Sequence, residues 1–106
     1  MICVSFFTEP SGEIVGFQVS GHSGYAEQGT DIVCAAVSSA VYMTANTITE
    51  VLKIPAEVSV QDGEMLVRVE CKDAPVCRAF FAGLKLHLLG LEEQYSDFVS
   101  VSYTEV

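Results

Sequence analysis

Positive charge is scarce in this chain. Five Lys and Arg stand against 14 Asp and Glu, a formal net charge of -9. A field of that sign repels phosphate backbones, so direct nucleic-acid binding is not expected and a basic protein partner is the kind it favours. Metal-binding spacing is missing as well. Cys3, Cys34, Cys71 and Cys77 form no CxxC pair, and His22 and His87 are the only histidines, so neither a metal nor another cofactor is expected. No stretch approaches the roughly 20 uninterrupted apolar residues of a membrane span. The start, Met1-Ile2-Cys3-Val4-Ser5-Phe6-Phe7, carries no basic leader or cleavage site, and the expectation is a soluble, cytoplasmic protein with no membrane contact. In such a reducing compartment most of the thiols should act as small buried hydrophobes, with Cys3, Cys71 and Cys77 at core positions.

Hydrophobic residues, by contrast, make up 50% of the 106. That suffices for one core without staples, and residues 1–106 are expected to form a single domain without repeats or linkers. Ile2 to Phe7 and Ile14 to Ser20 are rich in β-branched and aromatic residues, with turn formers between them, and read as a hairpin. From Asp31 to about Leu52 the period changes to that of a helix, with Val33, Val37, Val41, Ile48 and Leu52 at helical spacings and almost no charge before Glu50. This helix should pack against the sheet and against a second surface, and should stop before Pro55. Asp62-Gly63 predicts a second hairpin joining Ala56 to Gln61 with Glu64 to Cys71. A second helix follows, with Asp73 as its cap, Pro75 in its first turn and an apolar stripe of Cys77, Phe80, Phe81, Leu84, Leu88 and Leu91. Phe98 to Tyr103 alternates as a last, half-buried strand. The order β-β-α-β-β-α-β implies an α+β fold, a largely antiparallel or mixed sheet packed with two helices.

One stretch carries chemistry. A cysteine attacks as its thiolate, which a nearby imidazolium and a helix N-terminus both favour. Cys34 can have both. With Asp31 as N-cap, Cys34 falls in the first helical turn, where the Asp31 carboxylate can accept from the N–H of Val33 or Cys34 and a spare N–H can serve an oxyanion. His22 ends the second strand twelve positions earlier. Gly24 and Gly29 give the connection freedom to fold back or open, so a flap over the site is expected, and Tyr25 on it is a candidate substrate contact. Ser38 lies one turn beyond Cys34 on the same face, able to tune the thiol or to bond back to the Cys34 carbonyl. His87, inside the second helix, reads as structural.

Gly21-His22, followed by Gly29-Thr30-Asp31-Ile32-Val33-Cys34-Ala35-Ala36-Val37-Ser38, resembles the signature of the ribosomal-processing cysteine protease (Prp) family. Length and element order are similar throughout. The resemblance implies an endopeptidase that removes a short N-terminal extension from a basic large-subunit ribosomal protein, with Cys34 as nucleophile and His22 as base. It also implies a homodimer and a cleavage site preceded by aromatic residues. Ser23 stands where the family pattern has alanine, and Asp31 either orients His22 or only caps the helix. Gly21, Ser23, Gly24, Tyr25 and Gly29 make up the implied substrate loop. Two other classes fit the bare residues: a ribosome-assembly module that grips a peptide without cutting it, and a redox-sensing thiol protein, which needs a resolving cysteine that the sequence does not offer.

Overall fold

The computed structural model describes residues 1–21 and 31–106. Its elements are β1 (Ile2–Thr8), β2 (Ile14–Ser20), α1 (Ile32–Asn46), β3 (Ala56–Gln61), β4 (Glu64–Val69), α2 (Ala74–Gln94) and β5 (Val99–Glu105). They form a five-stranded mixed sheet in the order β3-β4-β2-β1-β5, with β5 parallel to β1 and the other neighbours antiparallel. The α+β class and the element order are those expected from the sequence.

Alternation along the strands decides which face is dry. Ile2, Val4 and Phe6 of β1 lie level with Val99, Val101 and Tyr103 of β5. Across the sheet, Phe17 pairs with Phe6 and with Val67. Both helices cover this face, and Val33, Val37, Val41 and Ile48 meet the strands together with Cys77, Phe81 and Leu88. Phe17 bridges the layers, its ring centroid 6.4 Å from Phe6 and 6.3 Å from Phe81. Each such buried side chain contributes about 1.5–3 kcal/mol. The opposite face is polar, with Ser5 and Thr104 hydroxyls 2.6 Å apart.

The segments Ile32–Val51 and Cys71–Gln94 are long and apolar enough by composition to span a bilayer, a property that a search for uninterrupted runs misses. One side of each packs on the sheet, through Val33, Val37, Val41 and Ile48 and through Cys77, Phe81, Leu84 and Leu88, while Ile32, Met43, Val76 and Leu86 are exposed. Several sequence expectations also change. The end of the first helix is a π-turn at Thr47–Val51, where the hydroxyls of Thr47 and Thr49 donate to the carbonyls four residues back, a bond that distorts helices. Asp73 makes no capping bond, because a 3-10 turn at Cys71–Asp73 leads straight into α2 and holds Asp73 itself in helical conformation. Phe80 lies outside the buried stripe, exposed on the flank of α2. Cys3 and Cys71 are exposed, and only Cys77 of the three is a core residue. Cys3 falls on the polar face between Ile2 and Val4, and Cys71 sits past the end of β4.

Candidate active site

The start of α1 is built by one side chain. Asp31, in extended backbone conformation and nearly buried, takes the N–H groups of Val33 and Cys34 on Oδ1 at 2.9 and 3.1 Å. Its carbonyl accepts from Ala35 N–H at 3.0 Å. The cap is the one expected from the sequence. The N–H groups of residues 33 to 35 are all engaged. Asp31→Ala is therefore expected to destabilise the fold by about 1–2 kcal/mol, while Asp31→Asn keeps most of the stability because its carbonyl oxygen can cap equally well. Thermal melting of the two variants checks this, and equal losses would remove the cap explanation.

Cys34 is half-buried and lines a cavity of about 240 Å³. Ser38 and Tyr42, on successive turns of α1, form one wall; the tip of the β3–β4 hairpin, Gln61 to Met65, forms another. Ile2, Val19 and Gly21 complete the lining among the described residues, with Val37 and Val41. Gly21 N–H donates to the Gly63 carbonyl at 2.9 Å, which ties the end of β2 to the hairpin tip. Gly21 has φ +87°, and a Cβ there would lie 2.4 Å from the Met1 carbonyl oxygen, so this position requires glycine. Ser38 faces the cavity but makes no bond to the Cys34 carbonyl among the described residues. His22, Ser23, Gly24, Tyr25 and Gly29, with the expected flap, lie outside the described residues.

Two of the other cysteines are held in the thiol form. The hydrogen bond to the Glu9 carboxylate pushes the Cys71 thiol above its ordinary range, and burial does the same to Cys77, aided by the negative charge of Asp73. Both are held as neutral thiols at neutral pH. His87 lines a separate groove between α1 and α2 with Phe80 and Met43, away from Cys34. Among the described residues no cluster of His, Cys, Asp and Glu could hold a metal.

A profile of the cysteine protease Prp family matches residues 1–100. The chain belongs to that family. It is a cysteine protease, and the non-catalytic module considered from sequence gives way to an enzyme. Among Prp proteins, the ribosomal processing cysteine protease Prp of Staphylococcus aureus is 23% identical over 105 residues, 97% of this chain and 99% of its own. The crystal structure of S. aureus Prp with a covalently linked product peptide matches with a TM-score of 0.90 at 23% identity, covering 98% of this chain and 100% of that one. A second, with a substrate peptide, gives 0.84 at 22% identity and the same coverage. SMU.848 from Streptococcus mutans gives 0.83 at 23%, covering 100% and 99%. At these identities the structures establish a shared fold.

Sequence reasoning nominated Cys34, Ser38 and Gly21 of this lining and missed the rest. Tyr42 carries no signal of its own in the sequence, and nothing local to Asp62-Gly63 says that this turn reaches Cys34. The one hint was Gly21, a glycine at a strand end where no turn had to follow at once.

Proposed function

We propose that this Prp-family protease is an endopeptidase that removes the N-terminal extension of a large-subunit ribosomal protein, with Cys34 as nucleophile and His22 as its base. The observation that carries this reading is the position of Cys34, in the first turn of a capped helix and on a cavity that is also lined by Gly21, the residue directly before His22.

The chemistry follows from those two groups. The His22 imidazole takes the Cys34 thiol proton, and the sulfur attacks the scissile carbonyl carbon. The C–N bond breaks as the imidazolium protonates the departing amine, leaving a thioester on Sγ. A water deprotonated by the same imidazole then hydrolyses the thioester, which frees the new carboxyl terminus and restores the thiol. Asp31 acts as the helix cap that fixes where Cys34 stands. Neither a metal nor a cofactor enters any of these steps. The protein works in the cytoplasm as a homodimer, which sedimentation at micromolar concentration checks.

The net charge of -9 favours a basic substrate at long range. Raising the ionic strength from about 0.01 to 0.15 M shortens the screening length from about 30 to about 8 Å, and kcat/KM should fall severalfold over that range. A rate indifferent to salt would remove electrostatic steering from the account. The reading as a whole is tested by incubating the protein with the full-length ribosomal protein of the same organism and reading the new N-terminus by mass spectrometry. A defined cut supports it, and an intact substrate sinks it.

A further inference from the structure

The helix layer is narrower than the sheet. Two helices packed about 8–10 Å apart roof about 20 Å, the width of roughly four strands at about 4.8 Å each. The strand left over is β3. Its Val58 and Val60 lie directly opposite Val67 and Met65 of β4, on the face that carries the helices. Val67 and Met65 are buried beneath the roof, whereas Val58 is 43% and Val60 52% exposed. Among the described residues β3 pairs on one side only. The other outer strand, β5, is treated differently: Glu92 of α2 accepts its Val101 N–H at 2.7 Å, and Lys85 of α2 sits 5.2 Å over the ring of Tyr103.

This shelf is continuous with the cavity at Cys34. Met65, the cross-strand partner of Val60, lines the cavity, and so do Gln61 and Asp62, which follow Val60 in the chain. On the other side stands α1, with Cys34, Ser38 and Tyr42 descending along the cavity wall and Tyr42 exposed. Continuing from the cavity lined by Cys34, Tyr42 and Met65 across to Val60 and on to Val58 traces a trough out over β3. Two exposed valines two residues apart on an edge strand are a liability unless something covers them.

We propose that the substrate polypeptide lies extended along this trough, seating alternate apolar side chains on Val60 and Val58 against Tyr42. Successive side chains on one side of an extended peptide repeat every 6.5–7 Å or so, as do Val58 and Val60. Charge selects the occupant. Asp62 and Glu64 stand at the cavity end of the trough, where their carboxylates attract a basic peptide.

The inference rests on Cys34 as the attacking group, and its test separates the two. Binding is measured in the Cys34→Ser protein, by fluorescence anisotropy of a labelled synthetic peptide carrying the ribosomal protein's N-terminal extension. Val60→Asp and Tyr42→Ala should each weaken binding by about tenfold, as loss of a central contact does. Val60→Thr, which keeps the strand-forming shape, should weaken it by about threefold with an unchanged melting temperature. Val76→Asp, at an exposed apolar position on α2, should bind like the parent. In the background with Cys34 intact, Val60→Asp should raise KM and leave kcat near its starting value. Unchanged binding in all the trough variants overturns the proposal, as does a Val60→Asp protein that loses only self-association, since the shelf then belongs to a subunit contact. Peptide binding that depends on Val60 without any cleavage by the intact protein would keep the trough and discard the protease mechanism.

Discussion

Replacing Cys34 by alanine should lower kcat/KM for the ribosomal substrate by at least about a thousandfold, because no other group can form the thioester and only bound water remains to attack. Binding of the peptide should survive, since the trough is intact. The substitution trims one half-buried thiol at the edge of a cavity and leaves the Asp31 cap in place, so the melting temperature should hardly move. That combination distinguishes lost chemistry from a lost fold. Iodoacetamide at pH 7 offers a check without substrate: Cys34 should label well ahead of Cys71 and Cys77, which Glu9 and burial respectively hold as thiols. If Cys34→Ala retained cleavage, or if Cys77 labelled first, the site would have to be sought elsewhere.

Gly21→Ala should cost about 2–3 kcal/mol, which for a domain of this size lowers the melting temperature by roughly 10 °C. Two effects add. The left-handed conformation at φ +87° penalises any Cβ, and that Cβ would meet the Met1 carbonyl oxygen at 2.4 Å. Gly12 supplies the internal control, because it has φ +92° but nothing within 4 Å of its position. Gly12→Ala should therefore show the conformational cost alone, about 1 kcal/mol. Equal losses in the two variants would mean that the close approach of β2 to the chain start carries no weight. The comparison matters for function too, since Gly21 holds the hairpin tip through its bond to the Gly63 carbonyl and stands next to His22 in the chain.

What could be read from the sequence is what neighbouring residues decide among themselves. Asp31 caps Val33 and Cys34 because all three lie within four residues, and the cap holds whatever else α1 touches. Asp62-Gly63 makes a tight turn, with Gly63 at φ 74°, for equally local reasons. The alternation of Val15, Phe17 and Val19 sets the dry face of β2 before any partner is known. Where local rules compete, the reading failed: Asp73 has a cap's sequence position but sits inside a 3-10 turn, and Phe80 has the spacing of the stripe but lands on its flank. Cys3 was misplaced because hydrophobicity does not tell which side of a strand faces helices, and Cys71 because β4 stops at Val69 and leaves it in the 3-10 turn.

The sequence by itself therefore determined the elements and the capped helix start, both properties of short spans of chain. Tertiary structure alone decided that the tip of the second hairpin closes the cavity at Cys34, through a bond between Gly21 and Gly63 that are 42 positions apart. It also decided that β5 enters parallel beside β1, and that two helices leave the outer face of β3 bare. The reason is geometric. Spacing along a chain fixes periodicity and capping, but the width of a helix layer relative to a five-stranded sheet, and the uncovered strand that follows from it, exist only once the strands have been put in order.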